Sequence, residues 1–301
     1  MGSEVKYGII TKAIADMYGG ADKTEAKDGT VLSAISDQML FGMLLKITGN
    51  AENGFYPVRS FYGYDGYMEP DALIVLGEID AKKYEESSLY VTNAFFVDIM
   101  SVPKVQGVCL AGLYRGSVVQ VLSWESEKEG WAKVKLPDGK EGYIRKQFLS
   151  EKKFSQAGIF EDVLIQRTVT DEAQFRKDVV NTAKSYMGIQ YRWGGRCTAG
   201  LDCSGLTSES YLLNGIITYR DARIVPGFPV HEIPKESMKP GDLMYFPGHI
   251  AMYIGDKMYI HSTGKIGSGG VVINSFDTES ELFRPDLLES WYATGSIFGA
   301  V

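Results

Sequence analysis

The run Asp202-Cys203-Ser204-Gly205 offers a sulfur nucleophile where a helix begins. It follows Tyr191-Arg192-Trp193-Gly194-Gly195 and opens an apolar-periodic segment that ends at Asn214-Gly215. A cysteine in the first helical turn faces unpaired backbone N–H groups and the positive end of the helix dipole. Both favour the thiolate, the reactive form. Gly248-His249-Ile250 and Ile260-His261-Ser262 lie downstream in strand-like runs and hold two of the three histidines. Thiol hydrolysis needs a sulfur, a base and a group that orients the base. Cys203, His249 and His261 supply these in chain order, with the Cys203 N–H available to a developing oxyanion. Along a strand His249 shares a face with Ala251 and Tyr253, and the small Ala251 leaves room beside the ring.

Taken singly, each of these residues is better explained as structural. A lone cysteine is most often a small hydrophobe, and a lone strand histidine is most often satisfied in a core. Their joint placement, between a glycine-aromatic loop and a helix, reverses that balance. Trp193 divides evenly between groove and core, and His231, flanked by Pro229 and Pro234, reads as an exposed loop residue. Cys109, in Val108-Cys109-Leu110, is expected to be buried and inert, and Cys197 inert. Three cysteines without a C-x-x-C pair make neither a disulfide framework nor a zinc site. No metal or cofactor is expected.

The elements that must position this chemistry form a helix–loop–helix followed by strands. Asp171-Glu172-Ala173-Gln174 resembles a capping box, and Phe175, Val179, Ala183 and Tyr186 follow at helical spacing before Gly188. Tyr219 to Pro240 reads as loop. Strands are expected at Asp242–Phe246, His249–Ile254, Met258–His261 and Gly270–Ser275. This is an α+β layout. The first half differs, with short alternating strands and a weak repeat. Phe41–Ile47 pairs with Arg115–Val121, Gly54–Val58 with Gly130–Val134, Gly66–Met68 with Gly142–Ile144, and Ala72-Leu73 with Phe148-Leu149. Two small tandem β-barrels fit this pattern.

Bulk properties narrow the function. The chain has 301 residues, 45% hydrophobic and 23% charged, with a net charge of −7. The acidic balance argues against a partner whose phosphates must be neutralised, so no nucleic acid is expected. No stretch is apolar and long enough to span a bilayer. Met1-Gly2-Ser3-Glu4 lacks a signal peptide, and Gly2-Ser3 looks like a cloning remnant. The compartment is left open: cell envelope or extracellular if a signal was removed, cytoplasmic if Met1 is the native start.

The repeated order of Gly-x-x-(Val/Leu)-x-(Val/Ile), Gly-(Trp/Phe)-x-x-Val and Gly-Tyr-(Ile/Met) is similar to bacterial SH3 (SH3b) domains, over about residues 30 to 80 and 105 to 150. The later motifs are Tyr191–Gly195, Leu201–Leu206, Lys239–Phe246, Gly248–Gly255 and Tyr259–Ser262. Together they resemble the NlpC/P60 cysteine peptidases over about residues 176 to 301. The fold this implies is multi-domain. An SH3b-like domain at 1–80 and another at 81–152 precede a linker and helix start at 153–175, then a papain-like α+β peptidase domain at 176–301.

The family cleaves peptidoglycan stem peptides, usually between γ-D-glutamate and a diamino acid. Its catalytic Cys, first His and second polar residue correspond to Cys203, His249 and His261. Two SH3b domains ahead of the peptidase resemble the YkfC-like branch, the γ-D-glutamyl-L-diamino acid endopeptidases. In that branch the first SH3b domain walls the active site and limits substrates to those with a free N-terminal L-alanine. The resemblance assigns substrate contacts to Tyr191, Asp202, Ser204 and Asp221, and to one tyrosine of the first SH3b domain. Tyr64 is taken for that tyrosine, with Tyr62 and Tyr67 as alternatives. Arg220-Asp221 departs from the branch's Arg-Asp-Ser element at Ala222, which loses one hydrogen bond. The expected partner is a peptidoglycan-derived peptide, L-Ala-γ-D-Glu-diamino acid. The third residue (lysine or diaminopimelate) and the oligomeric state stay open. A thiol amidase or acyltransferase on the same scaffold, and an inert wall-binding adaptor, are the competing functions.

Overall fold

Short β-branched and aromatic runs dominate the first half, and buried and more exposed positions alternate in strands such as Phe96–Met100 and Glu141–Arg145. The computed structural model describes residues 5–124 and 129–299; the readings made on Met1–Glu4 lie outside the described residues. The chain divides into two units, 1–165 and 166–301. The N-terminal unit begins with β1 (Lys6–Ile10), β2 (Ile14–Tyr18), β3 (Thr24–Lys27), β4 (Thr30–Ser33), β5 (Ile35–Leu40), β6 (Leu44–Ile47), β7 (Tyr56–Ser60), β8 (Asp65–Met68) and β9 (Leu73–Gly77). It continues through α1 (Glu78–Glu85), β10 (Leu89–Thr92), β11 (Phe96–Met100), β12 (Cys109–Tyr114), β13 (Val118–Ser123), β14 (Trp131–Lys135), β15 (Glu141–Arg145) and β16 (Leu149–Glu151).

Two seven-stranded sheets result, ordered β5-β2-β8-β7-β6-β1-β9 and β12-β11-β15-β14-β13-β10-β16. Element by element the two orders are the same, so the weak sequence repeat is a structural duplication, as in tandem SH3b-like folds. The repeat motifs fall on β6 and β13, β7 and β14, and β8 and β15. The first copy adds the β3–β4 hairpin between β2 and β5, where the second uses residues 101–108. The second core gathers Val97, Ile99, Leu113, Val121, Val134 and Ile144, and Phe41 from the first copy packs into it. Cys109 departs from expectation. It starts β12, the edge strand, and is exposed, with its sulfur 3.5 Å from Asp98 Oδ1.

Residues after β16 pack on the N-terminal unit. Phe154 stacks on Phe61 with centroids 5.3 Å apart, and Phe160 meets Tyr7 edge-on at 5.1 Å. The buried Glu85 carboxylate accepts from Lys152 Nζ at 2.7 Å, Gln156 N at 2.8 Å and Gln156 Nε2 at 3.0 Å. Gln156 Oε1 in turn accepts from Leu44 N at 2.8 Å.

In the C-terminal unit Asp171 caps α2 (Glu172–Lys184), accepting from Gln174 N at 3.0 Å. Phe175, Val179, Ala183 and Tyr186 are buried as the spacing predicts. Then come β17 (Arg196–Cys197), β18 (Gly200–Leu201), α3 (Cys203–Leu212), β19 (His231–Ile233), β20 (Leu243–Phe246), β21 (His249–Gly255), β22 (Met258–Thr263), β23 (Gly270–Ser275), α4 (Pro285–Ser290) and β24 (Ala293–Ser296). A six-stranded antiparallel sheet forms in the order β19-β24-β20-β21-β22-β23. α3 is buried along its whole length and packs on β21, β22 and α2. Even Glu209 is enclosed, 3.4 Å from Arg196 Nε. His231, expected in an exposed loop, is half-buried in β19 and pairs with Ser296. That strand was not legible because its partner β24 lies more than sixty residues away.

Removing the Glu85 carboxylate leaves Lys152 and Gln156 enclosed without it. Glu85→Ala is expected to destabilise the protein by roughly 3–5 kcal/mol, the usual cost of breaking a buried pair. Denaturant unfolding of the full chain measures this; a loss under about 1 kcal/mol would show the network to be marginal.

Candidate active site

Asp202 has the extended backbone of a helix cap (φ −83°, ψ −179°), and its Oδ1 accepts from Gly205 N at 2.6 Å. Cys203 is therefore the first helical residue, and it is buried. The helix start meets the Gly194-Gly195 loop at closest approach. A Cβ on Gly205 would collide with the Gly195 carbonyl oxygen, and one on Gly195 with that of Gly200. This packing explains Gly195 and Gly205, while Gly194 takes the left-handed backbone that glycine favours (φ 70°). On the other side, Ser262 Oγ donates to Leu201 O at 2.6 Å, tying the turn before Cys203 to the strand that carries His261.

The Asp202 carboxylate does more than cap. Oδ1 also accepts from Ser204 Oγ at 3.2 Å and Arg220 Nη1 at 3.0 Å, while Oδ2 accepts from Gly194 N at 3.0 Å and Arg220 Nη2 at 3.1 Å. Arg220 Nη1 also donates to Ser204 Oγ at 2.8 Å, and Nη2 to Gly195 O at 3.3 Å. Arg220 is fully enclosed. Any substrate ammonium bound to Asp202 would share that carboxylate with a guanidinium already forked onto it. Sequence reasoning missed the weight of Arg220. Its signal was an arginine following the apolar run Ile216-Ile217, but its partner had to be found in space.

Tyr191 is half-buried in the loop that leads to Gly194-Gly195, and its N–H donates to Gly269 O at 2.8 Å. Burial first, then the nearby Cys203 and Asp202, push its hydroxyl up, so it stays protonated and able to donate. Trp193 is 65% exposed and leaves the core reading behind. Asp221 is half-exposed, 4.0 Å from Arg223, and Ala222 packs against the core. Tyr64 belongs to the other unit, in the turn between β7 and β8, where its N–H donates to Ser60 Oγ at 3.0 Å. In the same region Tyr62 donates to Asp37 Oδ2 at 2.5 Å, and Tyr67 to Glu52 Oε2 at 3.2 Å.

The histidines are brought together across strands. His249 Nε2 lies 2.7 Å from His261 Nδ1, and His261 Nε2 lies 2.9 Å from Asn274 Oδ1. The Met252↔Ile260 register sets Ala251 across from His261, so the small residue does make room there. His249 and His261 are then diagonal neighbours on one face, within reach of long side chains. α3 packs on the strand of His249, and the Ile250 backbone N–H favours the thiolate form of Cys203. Among the described residues no group of three or more His, Cys, Asp or Glu could hold a metal ion.

The electrostatics differ from the sequence expectation of a thiolate. Burial pushes the Cys203 thiol up to about 11, with Asp202 adding to it, against the Ile250 and Ser204 N–H groups and Arg220. Burial, with His261 and Arg284, brings His249 down to about 3. Burial lowers His261 to about 4, opposed by its hydrogen bond to Asn274. Burial thus favours the neutral thiol at Cys203 and the neutral imidazole at His249, acting against the helix dipole.

Comparison with known proteins places this geometry. A sequence model of the NlpC/P60 family matches residues 188–281. The chain is 35% identical over 291 residues to a Lysinibacillus sphaericus protein named dipeptidyl-peptidase 6, covering 96% of this chain and 99% of that one. A gamma-D-glutamyl-L-lysine dipeptidyl-peptidase of Bacillus cereus is 29% identical over 213 residues, 68% of this chain and 58% of that protein. The crystal structure of an NlpC/P60 family protein from Bacillus cereus superimposes with a TM-score of 0.69 at 19% identity, covering 96% and 98% of the two chains. That likeness shows the fold.

Two outcomes follow from the site's packing and charge. Gly205→Ala forces the helix start off Gly195 and is expected to cost at least about 1–3 kcal/mol, as overpacking does; parent stability in thermal unfolding would contradict the close approach. Alkylation of Cys203 by iodoacetamide, followed by peptide mass mapping, should be slow at pH 7. It should climb as pH rises toward about 11, where the thiolate forms. A rate already at its plateau at pH 7 would instead reveal a preformed thiolate–imidazolium pair.

Proposed function

The chain belongs to the NlpC/P60 family, and from that premise we propose that it is a cysteine endopeptidase acting on peptidoglycan-derived peptides. It hydrolyses the bond between γ-D-glutamate and the diamino acid that follows. The observation that supports this best is the placement of Cys203 at the start of α3, against the strand whose His249 contacts His261. The named functions of the relatives supply the substrate class.

The reaction follows from these groups. With His249 Nε2 engaged by His261, the ring nitrogen left to receive the thiol proton is Nδ1. Cys203 sulfur attacks the γ-carbonyl carbon of D-glutamate as His249 takes the proton. The carbonyl oxygen becomes an oxyanion at the α3 N-terminus, where backbone N–H groups lack intrahelical partners. Collapse breaks the C–N bond, and His249 returns the proton to the departing amine of the diamino acid. Water, deprotonated by His249, then attacks the thioester, and the thiol leaves with the proton restored. His261 is a positioning residue that orients the His249 ring.

Release of a dipeptide requires a free amine two residues before the cut. In the C-terminal unit Tyr191, Asp221 and the Asp202–Ser204–Arg220 cluster are the proposed contacts. Tyr64 enters through the family resemblance alone. The adaptor and transferase readings draw on no further observation.

L-Ala-γ-D-Glu-L-Lys and its N-acetylated form, with products read by mass, test the proposal. The free peptide should yield L-Ala-γ-D-Glu and lysine, and Cys203→Ala should abolish this. Acetylation removes the charge and adds bulk at the amine, so kcat/KM should fall at least about a hundredfold, or ~2.7 kcal/mol. Turnover surviving in Cys203→Ala would overturn the nucleophile. Equal kcat/KM for the two peptides would overturn the free-amine requirement while leaving the thiol chemistry in place.

A further inference from the structure

Beyond the pair of histidines, a third side chain continues the array. The register Tyr259↔Asn274 and His261↔Val272 sets Asn274 diagonal to His261 on the face that carries both imidazoles. The amide is held at both ends. Asn274 Nδ2 donates to Leu282 O at 3.0 Å, and Oδ1 lies 2.9 Å from His261 Nε2. Leu282 O is itself placed by the backbone, because the Leu282 carbonyl also accepts from Ser275 N at 2.9 Å.

We propose that Asn274 is a positioning residue whose amide orientation sets the tautomers of both histidines and thereby leaves His249 with a proton-accepting Nδ1. The argument uses only what each group can donate or accept. A carbonyl oxygen accepts, so the amide atom facing Leu282 O is the nitrogen. The other end is then an oxygen, which also only accepts, so His261 Nε2 carries hydrogen. A neutral imidazole has one N–H, which makes His261 Nδ1 an acceptor. The short contact at that atom is then donated by His249 Nε2–H. His249 Nδ1 is left bare. Reversing the amide would set two oxygens against each other at Leu282 and put a donor at His261 Nε2. His261 would then carry Nδ1–H, and His249 would carry Nδ1–H, unable to take a proton there. One amide orientation thus decides whether the site holds a base at the correct ring nitrogen. The same chain serves the charged state: once His249 is protonated, its Nε2–H points at a bare nitrogen, and His261 Nε2–H points at a carbonyl. The other charged or titratable groups that act on the pair are Arg284, Asp286 and, against His261, Tyr259. Arg284 and Asp286 are bound to each other at 2.6 Å and 2.7 Å.

This proposal rests on His249 as the base, yet its first test is independent of any peptide. Full-length Cys203→Ala protein labelled with ¹⁵N-histidine reports each ring's protonated nitrogen in two-bond ¹⁵N–¹H spectra. Nε2–H is expected at both His249 and His261, and Nδ1–H at either ring overturns the proposal. Adding Asn274→Leu removes the acceptor and should bring Nδ1–H into the His261 spectrum; unchanged tautomers would equally overturn it. In the active protein, Asn274→Leu should lower kcat on L-Ala-γ-D-Glu-L-Lys by about tenfold or more, within the ~10²–10⁴-fold that acid–base transfer supplies. KM should be unchanged. Asn274→Asp keeps an acceptor, so it should recover most of that loss and move the acid limb of the pH profile upward. Should Asn274→Leu fail to fold, the parent spectrum and Asn274→Asp still decide. If the parent cleaves no such peptide, the proposed function fails while the spectra still decide the tautomers.

Discussion

The Asp202 carboxylate is the contact on which the rest of the site depends. One oxygen closes the N-terminus of α3 through Gly205, the other fixes the Gly194 N–H, and both are gripped by the enclosed Arg220. The helix start that carries Cys203, the glycine loop before it and the segment after α3 are thus fixed to one point. A carboxylate in so dry a place is tolerable only with a matched partner and its lone pairs filled. Arg220 supplies the charge, and backbone N–H groups fill the remainder.

From that point the chemistry runs outward onto the sheet. β21, β22 and β23 carry His249, His261 and Asn274 on one face, each stepped diagonally from the last. A sheet is suited to this because its side-chain period is two and its register is fixed by the buried face. A slip of one residue in β22 would turn His261 to the opposite face and separate it from both partners.

Burial gives the site its resting character. The same desolvation that raises the Cys203 thiol lowers both imidazoles, so burial disfavours the charged form of each. An enclosed ion pair would need its own solvation. Cys197 stays out of this chemistry, enclosed in β17 with burial pushing its thiol up to about 12.

The chain by itself determined the local pieces. Cap chemistry at Asp171 and Asp202, period-two strands around His249 and His261, and the repeat in the first half are set by neighbours within a few residues, and they read directly from residue types. Cys203, His249 and His261 stood out as candidates for the same reason, and the family was legible. Tertiary structure decided what depends on distant partners. Cys109 looked like core from its apolar neighbours, but its strand closes an edge of the second sheet and leaves it exposed. His231 became a strand residue because β24 pairs with it from the far end of the unit. The Cys203 thiol is pushed up by burial, a sum over many elements that no local pattern encodes. Arg220 showed locally only as an arginine after an apolar run, and Asn274 carried no distinctive local signal. Their roles exist only where the fold brings a carboxylate to one and an imidazole to the other, since the hydrogen bonds that define them span long stretches of chain.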